Sequence, residues 1–285
     1  MNLDRVTRTI AQVDGVKAVA LGGSHSRGEA DQHSDYDIGI YYWGDQLDLQ
    51  ALDQAVRSLD DGHRDGLLNP PGAWGRWING GAWITVDSVP VDILLRDLTW
   101  VESVVSSCLA GEITIDYQAG HPFGFVNTIY AAETHYCRPL WQDQSAPLDR
   151  LKALLHSNGA YAPAMKEAVI HKFLWEAWFS LACGRKAALK GELHYAMGSV
   201  FRAVCAWLQV LFALNNRYLM NEKGALNQVY DLQRKPADME MRIKDAYRLF
   251  ADGEPQKAYE IVDALHAEVE KLAVSNAELP EWKIR

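Results

Sequence analysis

The sequence has little cysteine and, in its first half, little positive charge. The four cysteines, Cys108, Cys137, Cys183 and Cys205, lie far apart, form no C-x-x-C pair and have no histidines at zinc-finger spacing. Free thiols in a reducing compartment are therefore expected. Residues 1–145 hold 9 Lys and Arg against 20 Asp and Glu, and residues 146–285 hold 19 against 17, giving net charges of −11 and +2. A protein that grips nucleic acid over a broad face needs clustered cations, so nucleic acid is a disfavoured partner; the acidic half suits a small acceptor and is compatible with a cationic one.

Other absences narrow the field further. The longest apolar run, Ser199 to Leu214, is broken by Arg202 and Gln209 and is short for a bilayer, which predicts a buried helix and no membrane partner. The N-terminus, MNLDRVTRTIAQ, lacks the features of a secretion signal, so a cytoplasmic location is expected. There is no low-complexity tract, and 48% hydrophobic with 23% charged residues is a globular balance. No G-x-x-x-x-G-K-[ST], G-x-G-x-x-G or G-x-S-x-G occurs, which leaves P-loop ATPase, dinucleotide-binding and serine-hydrolase readings unsupported.

What is present divides in two, as a chain of 285 residues leads one to expect. Val16–Leu21 and Tyr36–Tyr42 read as strands, and Gln46–Leu59 has helical spacing. After a loop rich in Gly, Pro and Trp, Trp83–Val86 and Val89–Leu95 read as two more strands, followed by helices at Asp97–Leu109 and Asn127–Tyr136. Beyond these, long helical patterns take over at Ala164–Cys183, Tyr195–Leu214, Ala225–Leu232, Asp238–Phe250 and Pro255–Val274. The expectation is an α+β fold: a mixed sheet with flanking helices over residues 1–145, then an all-α bundle over residues 146–285.

The chemistry concentrates in Leu21–Tyr42, LGGSHSRGEADQHSDYDIGIYY. Gly22 and Gly23 allow a tight turn and close backbone approach, and Ser24 stands where a short helix would begin, a combination suited to the phosphates of a nucleoside triphosphate. Asp35 and Asp37 are two apart in an alternating run, which on a strand places both carboxylates on one face. Carboxylates held side by side repel unless protonated or bridged by a cation, and hard oxygen donors select magnesium or manganese. Asp92 is the lone charge in VPVDILL, costly there unless paired or metal-bound, and is positioned to complete the set and to take a proton from an acceptor hydroxyl.

G-G-S-x-x-R-G, then S-D-x-D-I, then an isolated Asp on a later strand resembles the DNA polymerase β-like nucleotidyltransferase superfamily. The resemblance implies triphosphate binding by Gly22, Gly23 and Ser24, two Mg²⁺ ions held by Asp35, Asp37 and Asp92, and ATP as substrate. The motif spans about a third of the chain; the helical region after it is similar in architecture to the aminoglycoside and lincosamide adenylyltransferases. That likeness implies AMP transfer to a hydroxyl of a small molecule, such as one of those antibiotics. It also makes Lys223, in Asn221-Glu222-Lys223-Gly224, a candidate triphosphate contact, and Glu176 a second candidate base. Alternatives are AMP transfer to a protein, as in antitoxin-like relatives, and a non-catalytic nucleotide sensor.

Four further features are weighed between structure and function. Arg27 is placed either to touch a phosphate or to pair with Asp31 or the aspartate cluster. Lys172 offers Glu176 a simple ion pair four residues away. Trp74, Trp77 and Trp83 either stack a ligand ring or pack a long loop. Arg150 and His156 have the R-x5-H spacing of certain helical RNases, a pair that also arises readily by chance.

Overall fold

The computed structural model describes residues 1–275. In chain order these form α1 (Leu3–Ala11), β1 (Val16–Leu21), α2 (Gly23–Arg27), β2 (Tyr36–Tyr42), α3 (Leu49–Leu59), α4 (Gly75–Ile78), β3 (Gly81–Val86) and β4 (Val89–Asp97). Next come α5 (Leu98–Leu109), β5 (Ile115–Asp116), β6 (Phe125–Val126), α6 (Thr128–Tyr136), β7 (Arg138–Gln142) and α7 (Pro147–Leu155). Five helices follow: α8 (Pro163–Ala188), α9 (Leu193–Leu214), the short α10 (Ala225–Gln228), α11 (Met239–Ala251) and α12 (Pro255–Val274). The fold is α+β, a mixed sheet with flanking helices and then a largely helical region. Its compact units are Met1–Ser107 with Tyr130–Ser157, and Cys108–Ile129 with the chain from Asn158 onward.

In the first unit the sheet runs β3-β4-β2-β1-β7. The β2–β4 pair is parallel and the other pairs are antiparallel. Alternation along the strands decides the faces. Ile38, Ile40 and Tyr42 join Val91, Ile93, Leu95, Ala82, Ile84 and Val86 in a core closed by Val6 and Ile10 of α1 and Leu52 and Val56 of α3. The opposite face carries Asp37, Asp92 and Trp83. Helix α3 starts three residues later than its periodicity suggests, because the Asp48 side chain accepts from the Ala51 amide at 2.9 Å and caps it there. Strand β4 continues past Leu95 to Asp97, so the following helix begins at Leu98.

In the second unit α8 and α9 pack closely. A Cβ at Gly184 would lie 2.6 Å from Ser199 Cβ, so the crossing requires glycine there. Among the described residues, α9 is long and apolar enough to cross a membrane, because it starts six residues before the apolar run does. Its side chains from Ala203 to Leu214 are nonetheless buried in the bundle, and Trp207 Nε1 donates to His266 Nδ1 of α12 at 3.0 Å. The stretch expected as one helix over Ala225–Leu232 is α10 followed by a 3-10 turn at Val229–Asp231.

Candidate active site

Strand β1 ends at Leu21 and the chain turns directly into α2, held by the Gly22 amide donating to Asp37 O at 2.8 Å. That bond uses the Gly22 N–H within the fold, so Gly22 serves the turn rather than offering its amide to a ligand. The first bond of the helix runs from Ser26 N to Gly22 O at 3.1 Å, so the amides of Gly23, Ser24 and His25 precede the intrahelical ladder. Gly23 takes φ +60°, and a Cβ on it would lie 1.7 Å from Asp37 Oδ2. The glycine is therefore demanded twice, by backbone conformation and by the carboxylate resting on its Cα.

The aspartates meet through strand register. Asp37 of β2 pairs with Asp92 of β4 in the parallel ladder, and Asp92 pairs with Trp83 of β3 in the antiparallel one. Residues opposite one another share a face, so Asp37, Asp92 and Trp83 form a row across the sheet. Asp35 is not on the strand as the alternation suggested; β2 begins at Tyr36 and Asp35 precedes it, exposed. Even so, its charge bears on both Asp37 and Asp92.

Burial, then the charges of Asp35, Asp92 and Glu133, push the Asp37 carboxyl up to about 7. Burial and Asp35 push Asp92 up to about 6, a rise that the neighbouring Trp83 side chain partly offsets. Among the described residues no group of three or more His, Cys, Asp or Glu side chains is gathered around a common point suited to a metal ion. The chemistry of the donor set does fit a divalent cation. These are hard oxygens, two of them on carboxylates whose ionisation is opposed by burial and by one another, the conditions that a bound cation relieves.

Arg27, on α2, pairs with Glu29 at 2.9 Å and lies over the Tyr136 ring at 5.9 Å, rather than pairing with Asp31. Its charge nevertheless favours ionised Asp37. Two supporting features were not visible in the sequence. His25 stacks on Tyr36 with centroids 3.7 Å apart, bracing the loop between α2 and β2. Arg96, buried on β4, makes two 2.8 Å hydrogen bonds to Glu133 of α6 and donates to Ile78 O at 3.0 Å. Glu133 is thus an acid whose charge bears on Asp37 and which is already paired with a cation, and its distance along the chain hid it.

The remaining candidates separate by position. Trp77 is buried against Trp100 and Tyr130 and belongs to the core, while Trp74 and Trp83 stack on each other at 4.5 Å. His156 faces His135 at 3.2 Å across α6 and α7. In the second unit, Glu176 is paired with Arg202 at 2.5 Å and not with Lys172, because the partner on the adjacent helix comes closer than the one on its own. Lys223 is exposed in a turn where its amide donates to Asn221 Oδ1 at 3.0 Å.

Comparison with known proteins finds no matching curated protein. A solved structure, a nucleotidyltransferase-like protein from Exiguobacterium sibiricum, is similar over 99% of this chain and 83% of its own, at 10% identity and a TM-score of 0.42. Residues 3–106 match the family model described as a nucleotidyltransferase domain, a span that holds the α2 turn, Asp35, Asp37, Asp92 and Trp83, and this match supports a nucleotidyl transfer activity.

Proposed function

We propose that the chain transfers AMP from ATP to a hydroxyl of a small molecule in a magnesium-dependent reaction. The observation that carries this is the pairing of Asp37 with Asp92 beside the Gly22-Gly23-Ser24 turn, which sets the acids next to amides placed for phosphate. In this reading the Gly23 and Ser24 amides and the Ser24 hydroxyl bind triphosphate oxygens. Asp35, Asp37 and Asp92 would hold Mg²⁺, which supplies charge neutralisation for the triphosphate and lowers the pKa of the attacking hydroxyl. Asp92 accepts the hydroxyl proton as the oxygen attacks the α-phosphorus and pyrophosphate leaves. Arg27, tied to Glu29, keeps a positive charge close to Asp37.

Incubation with Mg²⁺, each NTP, and a panel of aminoglycosides, lincosamides and protein extracts tests this directly. Mass spectrometry should find an acceptor heavier by one AMP, with pyrophosphate released. Asp35→Ala and Asp37→Ala should each lower transfer by orders of magnitude, roughly 10²-fold or more. Undiminished transfer in either variant would sink the assignment. AMP on a protein instead of a small molecule would move the acceptor class, and bound nucleotide with no product would make the chain a sensor.

A further inference from the structure

On the reading that the chain transfers a nucleotidyl group, strand order indicates where the acceptor enters. Crossing the sheet from β1, which leads into α2, the strands run β2, β4, β3. The α2 amides, Asp37, Asp92 and Trp83 therefore follow one another in that order. In-line displacement at phosphorus sets the entering oxygen opposite the leaving pyrophosphate. With pyrophosphate at α2, the acceptor comes in from the β4–β3 side.

Trp83 stands on that side. It is 62% exposed, whereas its strand neighbours Ala82 and Ile84 point into the core. An exposed tryptophan alone means little, but this one is fixed in place. Trp74 stacks on it with an interplanar angle of 18°, seated where a Cβ at Gly81 would come within 2.9 Å of the Trp74 ring. Trp83 also stands directly opposite Asp92 in the β3–β4 register. One indole face is thus covered and the ring is held still, so binding on the remaining exposed surface carries little ordering cost. We infer that Trp83, backed by Trp74, is the acceptor platform, and that the acceptor carries a ring whose apolar face rests on the indole while its hydroxyl reaches Asp92.

The test uses the full chain with Mg²⁺, a non-reacting ATP analogue (α,β-methylene ATP), and glucosamine and myo-inositol as ring probes, read by saturation-transfer NMR and calorimetry. Ring binding should weaken roughly tenfold in Trp83→Ala and stay within about threefold of wild type in Trp83→Phe, the size of one stacking contact. Nucleotide affinity should stay within about twofold in both variants, on the same scale. Four results overturn the inference: neither ring binds the wild type; ring binding is unchanged in Trp83→Ala; nucleotide affinity falls instead, which puts the base on the indole; or Trp83→Phe loses ring binding as fully as Trp83→Ala, which makes the indole N–H a support for Asp92. Wild-type protein that binds no nucleotide refutes the nucleotidyl-transfer reading itself, a separate failure that removes the platform with it.

Discussion

Replacing Asp37 with asparagine should make the metal-free protein more stable at pH 8 than the wild type. The Asp37 carboxyl is raised from 3.8 to about 7, first by burial and then by its acidic neighbours. A carboxyl with a raised folded-state pKa keeps its full contribution below the unfolded pKa and loses stability as pH rises through the folded one, because the folded state binds the extra proton. The whole displacement corresponds to about 4 kcal/mol, of which about 2–3 kcal/mol falls between pH 5 and pH 8. Asp37→Asn carries no proton to lose. Urea denaturation in EDTA at both pH values should show the wild type losing about 2–3 kcal/mol more than the variant over that interval. Adding Mg²⁺ at pH 8 should recover stability in the wild type and much less in Asp37→Asn. Parallel pH profiles for the two proteins would refute the reasoning, since they would mean that Asp37 ionises without penalty.

Gly23→Ala should lower stability by about 1–3 kcal/mol, since alanine is strained at φ +60° and its Cβ would collide with Asp37 Oδ2; nucleotide affinity should fall with it, and calorimetry of the folded fraction checks this. Glu133→Gln should cost about 3–5 kcal/mol, because it leaves the Arg96 guanidinium buried without its counter-ion; an unchanged melting temperature would contradict the pairing. Glu176→Gln should keep transfer within about threefold of wild type, a shift under 1 kcal/mol, because its carboxylate is held by Arg202. A loss comparable to that in Asp92→Asn would instead make Glu176 the base.

Much of the first unit's sheet was legible in the sequence, because half-buried strands write their alternation into it. Ile38, Ile40 and Tyr42 set the phase of β2, and Val91, Ile93 and Leu95 that of β4, so each strand's apolar face was readable. The same alternation made Asp37 and Asp92 stand out as acids on strands otherwise committed to a core. Asp35 was placed on the strand because periodicity carries no marker for where pairing begins. The strands β5 and β6, two residues each, and β7 are too short or too irregular in burial to leave a pattern.

Tertiary structure alone decided which residues became neighbours. Register between β2 and β4 depends on how two distant segments seat their core faces together, and a shift of one residue would turn Asp92 into the core and away from Asp37. The pairing of Arg96 with Glu133, of Glu176 with Arg202, and the folding of residues 108–129 with the later helices all join parts of the chain that no local spacing connects. The three tryptophans show the division most plainly. Composition marked Trp74, Trp77 and Trp83 as one aromatic cluster; packing sent Trp77 into the core and left Trp83 exposed beside Asp92, because β3, paired with β4, carries its alternate residues onto the face where the acids lie.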